Sequence, residues 1–284
     1  MRLRLLPAAT VLAVAASLVL AACSADGSVS GASPSAQLTA EARTVTPGKL
    51  TIATAEPAYS PWVEDDDPAS GKGFEAAVAY AVAEWLGFSK GDVVWTRTTF
   101  DQAIAPGPKD FDFNLQQFSI TDERRQAVDF SPPYYETTQV AITVDGSPAA
   151  TATTLADLKP LRVGAQTGTT SLDAVNAAIA PDGGAQVFNT NDDAKLALQN
   201  GTIDALVVDL PTAFYLVGAE LDGGKIIGQL PDSAGGDQFG LVLEKGSPLT
   251  ANVSAAVDAL RADGTLDRLA QTWLGGEDAA PVLH

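Results

Sequence analysis

The segment from Phe118 to Arg125 carries the residues best suited to bind a small charged molecule. A run with strand character ends at Ser119, and Thr121 can cap a new helix by accepting a backbone N–H group. Arg124 then falls in the first turn of that helix, where the helix dipole disfavours a cation unless an anion lies nearby. The free N–H groups and the guanidinium fork together predict a carboxylate-binding site. The spacing is equally compatible with a weak surface ion pair between Arg124 and an acidic residue just before it.

Two further segments place polar groups at the ends of predicted strands. The apolar run Ala205–Val208 ends in Asp209, and Pro211 marks the start of a helix. Asp209 either caps this helix or presents its carboxylate at the carboxyl end of a strand, where α/β sheets bind ligands. The Gly/Thr-rich turn from Gln166 to Ser171 also opens a helix. It offers N–H groups to an anion, although simple capping explains it as well.

Alternating strand and helix patterns predict an α/β fold with a mainly parallel sheet. Buried strands are expected at Leu50–Thr54, Val93–Thr96 and Phe111–Phe118. An amphipathic helix starts at Phe74 and stops at Gly87.

The first residues of the chain indicate export. Arg2 and Arg4 precede an apolar stretch, Leu5–Leu20, which is typical of a signal peptide covering residues 1–22. Small residues before Cys23 resemble a bacterial lipoprotein signal, in which the thiol receives the lipid. A plain secretory signal with an incidental cysteine is the alternative. Residues 23–46 then form a lipidated, flexible tether rich in Ser, Gly and Ala.

Composition excludes several classes of function. The chain has 284 residues, of which 46% are hydrophobic and 18% charged, a globular balance. Its net charge of −18 becomes about −20 without residues 1–22, which argues against binding nucleic acid or anionic lipid surfaces. The only histidine is His284 and the only cysteine is Cys23. Cys–His and Ser–His–Asp catalysis and most zinc sites are therefore excluded, and we expect no cofactor and no metal.

Two consecutive motifs suggest a family. The run Ser119-Ile-Thr-Asp-Glu-Arg124 followed by Val128-Asp-Phe-Ser-Pro-Pro-Tyr-Tyr135 resembles the signature of amino-acid-binding receptors of ABC importers, the extracellular solute-binding proteins of family 3. Weaker matches extend over residues 48–275 and include Ala262-Asp-Gly-Thr265 followed by Trp273.

The resemblance implies a two-lobed, type II periplasmic-binding-protein fold with mainly parallel sheets, flanking helices and two hinge strands. Lobe 1 would contain residues 47–136 plus 240–284, and lobe 2 residues 140–235. The hinges would be residues 137–139 and 236–239.

The resemblance also implies roles for individual residues. Arg124 would bind the α-carboxylate of an amino acid, helped by Ser119 and the N–H group of Thr170. Asp209 would bind the α-ammonium group, helped by the carbonyl of Gln117. The remaining expected contacts surround the ligand side chain: Tyr59, Phe100, Trp62, Phe118, Glu56 and Gln166.

The sequence departs from the family pattern just before Ser119. Relatives carry small residues where this chain has Asn114, Gln116 and Gln117. These amides and Glu56 favour a polar or cationic amino acid.

The expected function is therefore that of a lipid-anchored, extracytoplasmic monomer that is not an enzyme and delivers an amino acid to an ABC permease. Two alternatives remain open. One is a dehydratase of cyclic aromatic-amino-acid precursors with Glu56 as general acid. The other is a sensory lipoprotein that uses the same cleft.

Overall fold

The computed structural model describes residues 43–231, 236–275 and 280–284. The predictions for residues 1–22, for Cys23 and for most of the tether lie outside the described residues. The N–H group of Val45 donates to Asp112 Oδ1 at 2.8 Å, so the folded part begins before residue 47, the expected start of lobe 1. Within the described ranges, no helix is long and apolar enough to cross a membrane.

The described residues form twelve strands, which occur throughout the chain. They are β1 Leu50–Thr54, β2 Val93–Arg97, β3 Phe113–Asn114, β4 Val128–Phe130, β5 Tyr135–Thr137, β6 Gln139–Val144, β7 Val163–Gln166, β8 Gln186–Phe188, β9 Ala205–Asp209, β10 Gly224–Gln229, β11 Asp237–Phe239 and β12 Val242–Glu244.

Nine α-helices of the described residues flank these strands. They are α1 Phe74–Trp85, α2 Phe100–Ile104, α3 Arg124–Ala127, α4 Leu155–Leu158, α5 Thr170–Ala174, α6 Asn191–Gln199, α7 Leu210–Tyr215, α8 Thr250–Ala262 and α9 Thr265–Trp273. Helices α5 and α7 continue as π-helical turns, Val175–Ile179 and Leu216–Glu220.

Two five-stranded sheets define the two lobes of the molecule. The first lobe is built on a sheet with the order β2-β1-β3-β12-β4 and the second on a sheet with the order β10-β6-β9-β7-β8. In the first sheet, β1 is parallel to both neighbours and β12 is antiparallel to both of its own. In the second, β7 is parallel to both neighbours and β6 is antiparallel to both of its own. The sheets are therefore mixed rather than mainly parallel.

A two-stranded ribbon joins the lobes. Strand β5 follows β4 of the first sheet and leads into β6 of the second, while β11 runs from the second sheet back toward β12. The two ribbon strands pair antiparallel to each other. Two crossings of the chain between the lobes run through this narrow ribbon, so bending there would move the lobes while each core stays packed.

Each lobe encloses its own apolar core. In the first lobe, one face of the sheet packs against α1, α8 and α9, and Phe74, Val253 and Leu266 are buried there. The other face holds a separate cluster that contains Phe111, Phe118 and Phe130. The second sheet is likewise covered on both faces. The α1 aromatic Phe74 is therefore a core residue, as its helical spacing indicates.

The beginning of α1 is capped by a loop instead of a side chain. The N–H group of Phe74 donates to the carbonyl of Pro61 at 2.9 Å, and that of Glu75 donates to the carbonyl of Trp62 at 2.9 Å. The loop approaches so closely because Gly73 has no side chain: a Cβ there would lie 2.5 Å from the Trp62 carbonyl oxygen. Gly73 thus fixes the loop that carries Tyr59 and Trp62 against the helix.

Several predicted elements differ from those observed. The expected strand Phe111–Phe118 is reduced to Phe113–Asn114, because Gln117 adopts a positive φ of 51° that ends the extended backbone. Helix α3 begins at Arg124 instead of just after Thr121, although the Thr121 hydroxyl accepts the Arg124 N–H group at 3.1 Å.

The end of the chain packs against the second lobe. Val282 forms a bridge with Gln229 of β10, and Leu283 is buried in the core beside this sheet. The sequence predicts that residues 277–284 are frayed, and this prediction is wrong for residues 280–284. The assignment of residues 240–284 to the first lobe also does not hold for this tail.

Candidate functional site

Arg124 lies in the cleft between the lobes. It is 9% exposed, its Nη1 donates to the carbonyl of Ser119 at 2.6 Å, and its Nη2 donates to the carbonyl of Gly168 in the second lobe at 2.8 Å. The guanidinium also stacks over the ring of Phe100, 5.3 Å from its centroid. Burial lowers the pKa of this arginine because the charged form loses hydration.

The alternative of a surface ion pair for Arg124 is wrong. Asp122 and Glu123 are exposed, and no carboxylate of the described residues lies within salt-bridge distance of the guanidinium. A buried cation that has only carbonyl partners is a strong candidate for binding an anion.

Asp209 lies in the second lobe at the carboxyl end of β9. Its Oδ1 accepts the N–H group of Thr212 at 3.0 Å and its Oδ2 accepts the Thr212 hydroxyl at 2.9 Å, so it caps α7. The cap does not exclude the ligand role, because a carboxylate offers about four lone-pair sites. Burial is the main cause that raises the pKa of Asp209 to about 6. A cation placed beside Asp209 would lower this pKa again, because it stabilises the charged form.

Hydroxyl groups cross the cleft between these two charges. Ser119 Oγ of the first lobe lies 3.0 Å from Thr170 Oγ1 of the second. Thr170 Oγ1 in turn donates to Asp237 Oδ2 at 2.8 Å, and the side-chain amide of Gln139 donates to the same oxygen. Because the proton of Thr170 is committed to Asp237, Ser119 acts as the donor toward Thr170.

Two neighbouring cavities occupy the cleft. The small cavity measures about 50 Å³ and the large cavity about 310 Å³. Gln117 and Asn191 line both of them. The small cavity brings together seven of the expected ligand contacts: Phe100, Gln117, Ser119, Arg124, Gln166, Thr170 and Asp209. The amide residue Gln116 lines it as well.

The large cavity contains Tyr59 and Trp62 from the loop before α1. The indole N–H group of Trp62 donates to the Thr212 hydroxyl at 2.9 Å, which is a direct contact between the lobes. Tyr59 faces α6 of the second lobe. Burial, followed by the charge of Asp192, raises the pKa of Tyr59.

Two expected residues do not line either cavity. Phe118 is fully buried beneath Phe100, with the ring centroids 4.8 Å apart, so it supports the pocket from behind. Glu56 is exposed and lies outside both cavities, so the structure does not bring it to the site. The loop after β1 reaches the large cavity from Pro57 onward.

The three unusual amides serve different purposes. Asn114 and Gln116 both donate to the Thr98 hydroxyl, at 2.8 and 2.7 Å, and Gln116 also donates to Asn114 at 3.1 Å. Gln117 turns away from them and donates to Glu75, through its backbone N–H group at 2.8 Å and through its side-chain amide. These contacts hold Gln116 and Gln117 in place in the wall of the small cavity, with Asn114 behind them.

Sequence reasoning missed several residues of the site. Glu75 is a buried carboxylate on α1. Its position among the apolar residues Phe74, Val78 and Ala79 is a signal that would have pointed to it. Lys195 pairs with Asp192 and Glu220, each at 3.0 Å, in the wall of the large cavity. Asp237 lies in the ribbon strand β11 and accepts hydrogen bonds from Thr170 and Gln139. No local sequence pattern predicts that the ribbon brings it there.

Comparison with known proteins agrees with this geometry. The family model for bacterial extracellular solute-binding proteins, family 3, matches residues 50–276. The L-arginine-binding protein of Pseudomonas aeruginosa is 32% identical over 225 residues, which cover 77% of this chain and 84% of that protein.

Two solved structures are similar in fold as well. An ancestral arginine-binding protein bound to glutamine has a TM-score of 0.68 and 30% identity, over 81% of this chain and 100% of its own. The ancestral amino acid-binding protein AncCDT-1, a precursor of cyclohexadienyl dehydratase, has a TM-score of 0.65 and 28% identity, over 80% of this chain and 95% of its own. The chain belongs to family 3 of the bacterial extracellular solute-binding proteins.

Proposed function

We propose that this protein captures a free amino acid between its lobes and delivers it to an ABC importer. One observation carries the proposal: Arg124 and Asp209 are buried, opposite in charge and contribute to the same cavity, yet they form no salt bridge with each other. A zwitterion supplies the missing partner to each of them. Relatives named for binding arginine, histidine, cystine and glutamine support an amino-acid ligand.

The carboxylate end of the ligand would lie at Arg124. Its guanidinium can turn from the Ser119 and Gly168 carbonyls toward an oxygen pair. Thr170 begins α5, where the first backbone N–H groups have no intrahelical acceptor. Ser119, now bonded to Thr170, would share its hydroxyl with the ligand. The ammonium end would lie at Asp209, with the carbonyl of Gln117 as a second acceptor.

The ligand side chain would extend into the large cavity. Four carboxylate groups line it, from Asp65, Asp66, Asp192 and Glu220, and only Lys195 opposes them. Arg97 neutralises Asp66 from outside the cavity, at 2.5 Å. The remaining excess of negative charge supports a polar or cationic side chain. This support comes from different residues than the exposed Glu56 on which the sequence-based hypothesis relied.

Ligand-driven closure would couple binding to transport. The contacts across the cleft come from Trp62, Ser119 and Arg124 on one side and from Thr212, Thr170 and Gly168 on the other. A zwitterion that binds both lobes adds to these contacts only in the closed state and therefore shifts the population toward it. The ribbon of β5 and β11 supports the proposed hinges at residues 137–139 and 236–239.

The proposed cellular setting follows from the start of the chain. Arg2, Arg4 and the apolar stretch that follows support export, and Cys23 supports lipid attachment on the outer side of the membrane. We further propose that the protein acts as a monomer, since one chain supplies both charged ends of the site.

The dehydratase alternative receives one favourable observation, the similarity to AncCDT-1. Against it, Glu56 is exposed and lies outside both cavities, so it is poorly placed as a general acid. In the sensory alternative, the same cleft binds the ligand, but a partner other than an ABC importer recognises the closed state.

A thermal-shift screen of the purified protein against the twenty amino acids tests the proposal. Ligands that bind only the folded state raise the Tm by mass action. We expect the largest rises with arginine, lysine or glutamine. A larger rise with leucine would contradict the polar or cationic preference, and no rise with any amino acid would contradict the proposed function itself.

Binding is expected to weaken at acidic pH. Asp209 must be charged to hold an ammonium group, and its pKa of about 6 leaves it mostly protonated at pH 5. The affinity should therefore fall roughly tenfold between pH 7.5 and pH 5, as measured by calorimetry. Asp209→Asn should bind weakly at both pH values; a wild-type affinity independent of pH would contradict the role of Asp209.

The stability of the ligand-free protein should instead increase as the pH falls from 7.5 to 5. The pKa values of Asp209 and Glu75 in the folded protein, about 6 and about 7, exceed those of the unfolded chain. The stability linked to their protonated forms is present below the unfolded values near 4 and is lost as the pH rises through the folded values. Ligand should thus stabilise the protein more at pH 7.5 than at pH 5.

Trp62→Phe is expected to loosen closure. The substitution keeps an aromatic ring in the core but removes the indole N–H group that bonds to Thr212. We expect an affinity roughly 2- to 10-fold weaker, since a neutral hydrogen bond contributes about 0.5–1.5 kcal/mol. Trp95→Phe is the matched control, because its indole N–H group donates to Tyr80 at 3.1 Å, away from the cleft. Equal losses in both variants would contradict a role in closure.

A further inference from the structure

Glu75 is a buried carboxylate beneath the site. It is 1% exposed and is the second residue of α1. Its Oε1 accepts the Gln117 N–H group at 2.8 Å and the Tyr134 hydroxyl, and its Oε2 accepts the side-chain amide of Gln117. No cation of the described residues forms a salt bridge with it. The carboxyl group is thus held in the interior by neutral donors alone, two of which belong to one residue.

That residue, Gln117, has a strained backbone. Its φ of 51° lies in the left-handed region, a backbone conformation that residues other than glycine rarely adopt. Such a conformation persists where surrounding contacts determine it. Here both the backbone and the side-chain amide of Gln117 are tied to the same carboxylate, so the position of Glu75 fixes both.

Gln117 lines both cavities of the cleft. It shares the small cavity with Arg124 and Asp209. Two residues further on, Ser119 supplies both the carbonyl that holds Arg124 and the hydroxyl that reaches Thr170. A change in the backbone at Gln117 would therefore shift the wall of the pocket and the segment that carries its polar groups.

The charge of Glu75 also acts on the site. Burial is the main cause that raises its pKa to about 7; hydrogen bonds from Tyr134 and Gln117 act against this shift, and repulsion from Asp209 contributes to it. Tyr134 is the other titratable group that faces it. Glu75 therefore lies close enough to Asp209 for the two charges to interact. An ammonium group at Asp209 would relieve this repulsion as well as pair with Asp209.

We propose that Glu75 is a positioning residue for the ligand. Without touching the ligand, it holds Gln117 in the left-handed conformation that shapes the pocket wall between the two cavities. The inference rests on the proposed function, because it assigns Glu75 to the same amino-acid site.

A double-mutant cycle tests this role, with L-arginine and L-glutamine as calorimetric probes at pH 7.5. Glu75→Ala should weaken binding about 10- to 100-fold in the wild-type background, where Gln117 loses its anchor. Glycine adopts the left-handed region freely. In the Gln117→Gly background, the same Glu75→Ala change should cost less than about threefold. A purely structural role would give the same loss in both backgrounds and would overturn the proposal.

Two further measurements complete the test. Glu84→Ala removes an exposed carboxylate from the same helix and should leave the affinity unchanged. In the ligand-free protein, the NMR amide signal of Gln117 should shift as the pH is raised through about 7, and Glu75→Gln should abolish that shift. If the Gln117 signal responds neither to the pH nor to Glu75→Gln, the positioning role of Glu75 is overturned, while the proposed function is not affected. Absence of binding of both probes to the wild type would overturn the proposed ligand class and the positioning role together.

Discussion

Arg124→Ala is expected to weaken amino-acid binding by about 2–5 kcal/mol, or roughly 30-fold to several thousand-fold. The loss is large because the ligand carboxylate would be buried without a charged partner. The guanidinium is 9% exposed and is held by the carbonyls of Ser119 and Gly168, so no solvent-exposed cation can replace it easily. Calorimetry with the best ligand of the thermal-shift screen measures the effect.

The neighbouring arginine provides a matched control. Arg125 is exposed, and its hydrogen bonds within the described residues involve its backbone: the N–H group donates to the Thr121 carbonyl at 3.0 Å, and the carbonyl accepts from Lys245 Nζ at 2.7 Å. Arg125→Ala changes the net charge equally and should leave the affinity within about twofold, as expected for a surface substitution. Similar losses in the two variants would show that general electrostatic attraction, and not a fixed carboxylate site, governs binding.

Arg124→Lys separates charge from geometry. Lysine keeps the charge but lacks the planar fork that binds a carboxylate through two parallel hydrogen bonds. It also lacks the flat face that stacks over Phe100. We expect it to recover only part of the affinity lost in Arg124→Ala. Full recovery would mean that the ligand carboxylate is bound by charge alone.

Elements with a clear local pattern could be predicted from the sequence. The strand Leu50–Thr54 lies within its expected bounds, and helix α1 ends before Gly87, whose φ is 90°. These elements follow from hydrophobic periodicity and stop residues, which act within a few positions. The placement of Asp209 at the end of β9 follows from the same local pattern.

Elements that depend on distant contacts could not be predicted. The strand expected to reach Phe118 breaks because Glu75, 42 residues earlier, holds Gln117 in a left-handed conformation. The sequence predicts one last strand at Phe239–Leu243, but β11 ends at Phe239 and β12 begins at Val242. The break lies at Gly240, where a Cβ would lie 2.8 Å from the side chain of Ile120. Neither contact has a signal in its own segment, because each requires two segments that meet only in the folded protein.

The candidate site shows the same division. Arg124 drew notice because a cation in the first turn of a helix requires an anionic partner, and the family resemblance then implied that this partner is the ligand carboxylate. Glu56 was misplaced because the path of the loop after β1 depends on its contact with α1. The large cavity was missed, since its walls combine the loop around Tyr59 with Lys195 and Glu220 of the second lobe. The residues that determine the ligand preference therefore could not be predicted from the sequence.

Gly73→Ala is expected to destabilise the protein by roughly 2–5 kcal/mol and to lower its Tm by roughly 4–20 °C. Two causes add together. Alanine disfavours the φ of 97°, and its Cβ would lie 2.5 Å from the Trp62 carbonyl oxygen. Relief requires the loop to move away from α1, which breaks the hydrogen bonds that cap the helix. Thermal unfolding followed by circular dichroism measures the loss.

Gly87→Ala isolates the conformational cause. Gly87 ends α1 with a φ of 90°, close to that of Gly73, but a Cβ there would meet nothing within 4 Å. This control should cost only about 1–2 kcal/mol, the penalty for a left-handed alanine. Equal losses in the two variants would contradict the close-contact explanation. Because the same loop carries Tyr59 and Trp62 to the cleft, Gly73→Ala should also weaken ligand binding, whereas Gly87→Ala should not. Gly73 thus contributes both to the stability of the first lobe and to the shape of the site.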